Sequence, residues 1–522
     1  MPIKRSTVGV FLLLILGALA IGVWKFLAPR FFAKGQVATS DAAKIQGKIA
    51  GAGDNYIGYE FIRSSEMKRA LAQQGFLLEW TDDGGAYAER LQKFAEGKYD
   101  FIVLPINSYL THGATHKFPG VITAVISESK GADAIVGYTD RVTATNGHEV
   151  KINALNNANL RIAFTPDSPS SFLLSIPVVH FGLDQLRYPG PWRVEAQGSK
   201  DALEKLQKKL VDVAILWEPD VSRALEINGV KVIFSSEQVR GLIIDVIVFS
   251  REALRKRPEL VKMFHRDYFR AIQIYTNDRP RMTKEFAKSA GLSERNIESV
   301  LNKIDYADLA ENALQWFNLS SSGVVGDEQI INSIRSITDI MIRNGELKVD
   351  PLENNPFLIT NRDFVAELYQ SGGLANLGAP STAPKDFASL SEGQWKALRE
   401  IGTMAIRPIT FQQSAGILAL AGKLEVDAAA QALINNYPQY RVLIKGHTSR
   451  GYDAEADLKL SQERAEAVKK YLEVVHGIDP DRLRAIGIGS SEPLPRLNNE
   501  SERAYQYRLP RVEFVLVEEN AI

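Results

Sequence analysis

The 522-residue chain has no cysteine. That excludes disulfides, thiolate metal sites, a cysteine nucleophile and a lipid-bearing N-terminal cysteine. It has no surplus charge of either sign, Lys+Arg and Asp+Glu being 62 each, so nothing basic points to nucleic acid. Histidine is scarce, at seven residues, and none clusters with carboxylates at metal-ligand spacing. His112 and His116 lie four apart but flank Gly113, which predicts a solvated loop. HExxH, GxSxG and Walker A patterns are absent, and "GAGDNYIG" lacks the glycine spacing of a dinucleotide loop. Ser65 and Lys68 form an SxxK without SDN or KTG partners. The chain therefore reads as a non-enzyme with no cofactor and no metal site.

What is present is a globular composition, 45% hydrophobic and 24% charged, in a chain long enough for two to four domains. After Lys4 and Arg5 the stretch "STVGVFLLLILGALAIGVW" is uncharged from Ser6 to Trp24. This is close to the ~20 residues that cross a bilayer core. "ALA" at Ala18–Ala20 resembles a signal-peptidase site. The apolar run continues past it, which predicts an uncleaved transmembrane helix with a short cytoplasmic tail and everything else outside. Trp24, Phe26, Phe31 and Phe32 suit a membrane interface.

From about Lys44 to Leu368, β-rich runs alternate with helical stretches, the signature of an α/β domain. "FIVLP" (101–105), "RIAF" (161–164), "DVAILW" (212–217) and "KVIF" (231–234) are predicted strands, nearly continuous apolar runs covered on both faces. Two units echo each other, "ERLQKFAEGKYDFIVLP" and "DALEKLQKKLVDVAILWEP". In each a leucine, Leu91 or Leu203, precedes an aspartate, Asp100 or Asp212, by nine residues. The echo suggests two lobes built on one plan. Residues 252–370 read mostly as helix, and "SGGLANLGAPSTAPKDFASLS" as a linker.

"DNYIGYE", "GKYDFIVLP", "GADAIVGYT", "RIAFTPDSPSSFLL" and "DVAILWEPDVSRAL" together resemble type II periplasmic solute-binding proteins, nearest the nitrate/taurine/thiamine-precursor receptors of ABC importers. The resemblance implies two lobes joined by two crossing strands, "ADAIVGYT" (132–139) and "IDVIVFS" (244–250), closing on a small molecule. Ligands of such sheets sit beyond strand carboxyl ends and at helix N-termini. Candidate contacts are Asp54, Asn55 and Tyr56 after the first strand, and Asn107 and Ser108 after the second. Thr165, Ser168, Ser170 and Ser171 follow the third, and Trp217, Glu218 and Asp220 the fourth. Aromatic rings would stack on a ligand body, with hydroxyls or carboxylates fixing its polar atoms. The serines serve equally as N-caps, and Trp217 equally as hinge packing.

The C-terminal stretch holds "IKGHTSRG", "LKLSQERAEAVKKYL", "GID", "GIGSSEP" and "RVEF". These resemble the OmpA C-terminal-like, peptidoglycan-associating family. Helical spacing places Ser461, Ala465, Val468, Leu472 and Val475 on one apolar stripe. In the family an aspartate after Gly-His-Thr and an arginine in L-S-x-x-R hold the ammonium and carboxylate of diaminopimelate. Arg464 matches the arginine, but the aspartate position is Ser449. The family's closing Asn-Arg-Arg reads Leu509, Pro510, Arg511. Thr448, Ser449, Asp457, Arg464 and Arg511 are the candidate wall contacts, with Asp453 or Asp457 able to replace the missing carboxylate. His447 is expected to hold the turn.

The expected order is an anchor (1–36), a solute-binding-like domain (37–370), a linker (371–393) and an OmpA-like domain (394–522). The expected fold class is α/β throughout, behind an N-terminal transmembrane helix. Such a chain would sit in the bacterial inner membrane, bind a solute for sensing or uptake, and associate with peptidoglycan stem peptides. An ABC permease or another envelope protein is a possible partner. The alternative is an envelope scaffold whose two modules dock proteins.

Overall fold

The computed structural model describes residues 45–142, 152–319, 328–372, 387–412, 416–449 and 453–519. The expected N-terminal anchor lies outside them, as does most of the linker. Among the described residues no helix is long and apolar enough to cross a membrane.

Among the described residues fifteen strands form three sheets. In chain order they are β1 (Gly47–Gly53), β2 (Phe76–Asp82), β3 (Phe101–Pro105), β4 (Gly120–Ser129), β5 (Asp133–Tyr138), β6 (Ile162–Phe164), β7 (Arg193–Glu195) and β8 (Val213–Trp217). There follow β9 (Val230–Ser235), β10 (Ile244–Ser250), β11 (Ile304–Tyr306), β12 (Arg399–Thr403), β13 (Arg441–His447), β14 (Leu483–Gly489) and β15 (Arg511–Glu518). The first sheet runs β11-β4-β10-β3-β1-β2 and the second β7-β6-β8-β5-β9.

The two sheets share a pattern. In each, three parallel strands (β2, β1, β3; β7, β6, β8) are followed by an antiparallel strand that arrives from the other sheet. The chain crosses twice, between β4 and β5 and between β9 and β10. "ADAIVGYT" and "IDVIVFS" are thus the inserted strands, and the crossings are the short links before them. Ser129 and Ser236 fasten the links: their hydroxyls lie 2.7 Å apart, and Ser236 Oγ accepts from Gly131 N at 2.8 Å.

The repeated aspartate has one job in both halves. Asp100 accepts from Ala50 N at 2.9 Å, and Asp212 accepts from Arg161 N at 2.9 Å. Each carboxylate, placed at the entry to β3 or β8, satisfies an N–H at the neighbouring parallel strand. Leu91 and Leu203 are buried one helix earlier. β3 is buried along its whole length, as a continuous apolar run predicts, whereas β9 lies at a sheet edge and leaves Val232 partly exposed.

The lobes touch directly. Asn107 Nδ2 donates to Ser168 O at 3.3 Å, and Ser108 Oγ to Asp167 O at 3.0 Å. Helix Gln329–Arg343 packs against helix Ile106–Gly113 of the first lobe and helix Pro169–His180 of the second. The expected loop at His112 and His116 is instead the end of helix Ile106–Gly113 and a following 3-10 turn. Gly113 is tolerated there because it is pressed against Phe118, where a Cβ would lie 2.8 Å from the ring.

The third sheet, β12-β15-β13-β14, is covered by helices Leu420–Asn435 and Ala454–His476. On the latter, Ser461, Ala465, Val468 and Leu472 are buried, but Val475 is 55% exposed, against expectation. Twenty-three helical residues span ~34 Å while seven-residue strands span ~23 Å, so the helix overhangs its sheet. Packing starts before residue 394: Leu390 lies against Trp395, Leu443, Val515 and Val517, inside the stretch read as linker. This unit docks on the second lobe and the β9–β10 link. Tyr437 Oη meets His180 Nδ1 at 2.6 Å, Ala405 N donates to His180 O, and Asn436 Nδ2 donates to Arg240 O at 3.0 Å.

Candidate functional site

Between the lobes is a cavity of about 20 Å³, room for one water-sized group. It is lined by Asp54, Tyr56, Tyr59, Tyr87, Pro105, Asp133, Pro169, Trp217 and Asp245. Each lobe and both inserted strands contribute. Asp54 and Tyr56 lie just beyond the carboxyl end of β1, Asp133 opens β5, and Asp245 sits in β10.

The three carboxyl groups have different surroundings. Asp54 pairs with Arg90 at 3.2 Å, and Arg90 Nε also donates to Asp83 at 2.6 Å. The Arg90 side chain is fully buried, so one cation serves two carboxylates. Asp245 accepts from Tyr59 Oη. Burial, reinforced by Asp133 and Asp54, pushes its carboxyl up to about 8 despite the Tyr59 hydrogen bond and Arg90. Asp133 accepts from Ser129 Oγ at 2.6 Å, and burial, with Glu218 adding to it, raises its carboxyl to about 7. Tyr56 Oη is buried without a hydrogen-bond partner among the described residues. Its phenol is raised well above its usual range by burial, then by Asp245, Asp133, Tyr306 and Asp54.

Of the residues singled out in the sequence, Asp54, Tyr56 and Trp217 line this cavity. Asn55 is exposed. Asn107 and Ser108 are spent on the interlobe hydrogen bonds. The serines build the helix start: Ser168 Oγ accepts from Ser170 N, Ser171 Oγ from Ser168 N, and Ser170 Oγ donates to Ile215 O. Ser171 also faces a different groove, shared with Ser175, Arg193 and Glu346. Thr165 Oγ1 is buried without a partner among the described residues, outside the cavity lining. Glu218 is held by Lys303 and Ser222, and Asp220 by Arg223 at 2.8 Å. Tyr59, Tyr87, Asp133 and Asp245 were not singled out. The available signal was a lone aspartate inside each apolar inserted strand, since a charge there is rarely buried without a role.

A second site lies at the end of β13. Gly446 lets helix Ala454–His476 approach: a Cβ there would lie 2.1 Å from Ser461 O. Thr448 N donates to Gly489 O, and Gly489 N to Ser461 Oγ, both at 2.9 Å. At this turn both ring nitrogens of His447 and Thr448 Oγ1 are buried without hydrogen-bond partners among the described residues, as is Arg464 Nε on the helix that follows. His447 Nε2 lies 3.4 Å from Glu513. Burial favours a neutral Glu513, but His447 and Arg511 outweigh it and hold the carboxyl at about 2.

Arg464 lies 5.2 Å over the Phe411 ring, with no carboxylate paired to it among the described residues. Burial lowers its pKa. Ser449 and Asp457 are half-buried near the turn, while Asp453 caps the helix through Glu455 N and Ala456 N. Arg511 is committed internally, to Glu513 at 2.6 Å and to the carbonyls of Leu509 and Glu492.

Residues 410–507 match the OmpA family. The C-terminal part is 32% identical over 108 residues to "Probable lipoprotein YiaD" of Escherichia coli, covering 21% of this chain and 47% of that protein. It is 28% identical over 131 residues to "Peptidoglycan-associated lipoprotein" of Haemophilus influenzae, covering 25% of this chain and 85% of that one. The two-lobed part overlays the alkanesulfonate-binding protein SsuA from Xanthomonas axonopodis pv. citri bound to MOPS, with TM-score 0.44 and 16% identity. That overlay covers 62% of this chain and 98% of the other. The aliphatic sulphonate binding protein SsuA from Escherichia coli gives TM-score 0.45 at 16% identity, covering 58% and 94%. On the sheet orders above, the chain joins a periplasmic-binding-protein fold to an OmpA-family domain.

Proposed function

We propose that this protein binds a small solute between its lobes and associates with peptidoglycan through its C-terminal domain, working in the bacterial envelope. The observation that carries the first half is the interlobe cavity itself, where Tyr56 Oη lies buried with no protein partner among the described residues. A buried polar atom without a partner costs about 1–3 kcal/mol, a cost that a ligand accepting its hydrogen bond removes. The second half is supported by the OmpA-family match and by Arg464, a half-buried guanidinium suited to a stem-peptide carboxylate. The apolar segment 6–24 would fix the chain at the inner membrane by a single pass. Two attached ends suit sensing or local capture better than free diffusion, and neither site has the makings of catalysis. A permease or another envelope protein remains the partner of choice for the closed lobes.

The scaffold reading draws on Ser449, which removes the family's aspartate, and on Arg511, whose guanidinium is already engaged. A thermal-shift screen of the full chain against periplasmic metabolites separates the two. Solute binding predicts stabilisation of about 2.7 kcal/mol at a hundredfold excess over Kd; a scaffold predicts none.

A further inference from the structure

The cavity has a charge and a shape that define what it takes. Asp54, Asp133 and Asp245 line it, and Arg90 offsets only Asp54, which it shares with Asp83. Among the described residues no cluster of three or more His, Cys, Asp or Glu could hold a metal ion, so the carboxyls are too spread for one. Between them stand aromatic faces. Tyr56 and Tyr59 meet edge to face with centroids 5.3 Å apart, and Tyr87 and Trp217 line the same space. Aromatic faces and carboxylates both attract positive charge, and both do so more strongly where water is excluded. The unpartnered Tyr56 Oη adds a hydrogen-bonding group for a ligand's polar atom.

We propose that the cleft takes a small organic cation, its ammonium group seated between Asp133 and Asp245 and ringed by Tyr56, Tyr59, Tyr87 and Trp217. This rests on the reading that the cleft binds a solute. The volume of about 20 Å³ limits the closed site to a single small head group, so a bulkier cation requires the lobes to part across the Asn107–Ser168 and Ser108–Asp167 contacts. Bound positive charge favours the ionised carboxyls, so binding releases protons. The groups facing that charge are Asp54, Asp133, Asp245 and the phenols of Tyr56, Tyr59 and Tyr87, with Arg90 behind Asp54 and Glu218 behind Asp133.

The test is thermal melting of the full chain in methylammonium, tetramethylammonium or methanesulfonate, at ionic strength matched with sodium chloride. At least one ammonium probe should stabilise the two-lobed part, and methanesulfonate should not. Asp245→Asn should weaken the ammonium effect about tenfold in apparent affinity. Tyr56→Phe, which retains the ring, should weaken it less. Calorimetry in two buffers of different ionisation enthalpy should show proton release with the wild type and less with Asp245→Asn. Stabilisation by methanesulfonate alone, lost in Trp217→Ala, would overturn the cation assignment while leaving the solute reading intact. No shift with any probe would overturn the cation assignment, while the metabolite screen decides the solute reading separately.

Discussion

The interlobe cleft and the turn after β13 are both binding candidates, yet they are built in opposite ways. The cleft is over-supplied with carboxyls, and its neighbours are tied to each other: Arg90 to two aspartates, Tyr59 to Asp245, Ser129 to Asp133. The turn and the helix after it are under-supplied, with Arg464 lacking a paired carboxylate among the described residues and His447 and Thr448 holding buried, unbonded polar atoms. The cleft thus holds buried carboxyls, raised by burial, that arriving positive charge would ionise, and the turn side holds a guanidinium awaiting a carboxylate. The difference teaches that a site's polarity follows from which charges the fold leaves uncompensated, not from which residues are present.

The comparison breaks most readily at Arg90. Arg90→Met leaves Asp54 and Asp83 without their shared cation and should cost about 3–5 kcal/mol of stability in urea unfolding. A loss under 1 kcal/mol would mean that water already solvates both carboxylates.

Asp245 gives the next effect, and its sign is fixed. Folded Asp245 keeps its proton up to about 8, whereas the unfolded carboxyl loses it near 3.8. The folded state holds the extra proton between those values, so this group makes stability fall as pH rises through that window. Asp245→Asn should therefore gain on the wild type by on the order of 3–4 kcal/mol between pH 5 and pH 8. Parallel stability curves for the two proteins would place that carboxyl in water.

The turn sharpens the contrast from the other side. Ser449→Asp supplies the family's carboxylate and should tighten retention on peptidoglycan by about 1–2 kcal/mol, roughly five- to thirtyfold. No change would leave Asp457 as the group already serving there. The smallest effect is expected where the parts meet: Tyr437→Phe removes the hydrogen bond to His180 and should cost about 1 kcal/mol in thermal unfolding.

The strands were legible because buried parallel strands are continuous apolar runs, and Asp100 and Asp212 disclosed the repeat because each performs the same bond. The serines after β6 were equally visible but ambiguous, since a hydroxyl that caps a helix and one that meets a ligand are the same residue type. Only the folded structure shows Ser168 and Ser171 spent on the helix start and Ser170 on Ile215 O of β8. Asp133 and Asp245 were hidden for another reason. They face one cavity only because β5 and β10 are inserted into opposite sheets, a long-range pairing that local pattern does not encode. In the C-terminal part the motif marks Arg464 and Arg511 alike, but Arg464 lies over the Phe411 ring while Arg511 is engaged by Glu513.

Co-sedimentation of the full chain with purified peptidoglycan sacculi, run side by side for wild type, Arg464→Ala and Asp245→Asn, tests the two-site account most directly. The account predicts salt-sensitive pelleting of the wild type, loss of pelleting in Arg464→Ala, and wild-type behaviour in Asp245→Asn. Pelleting of Arg464→Ala equal to the wild type would contradict it.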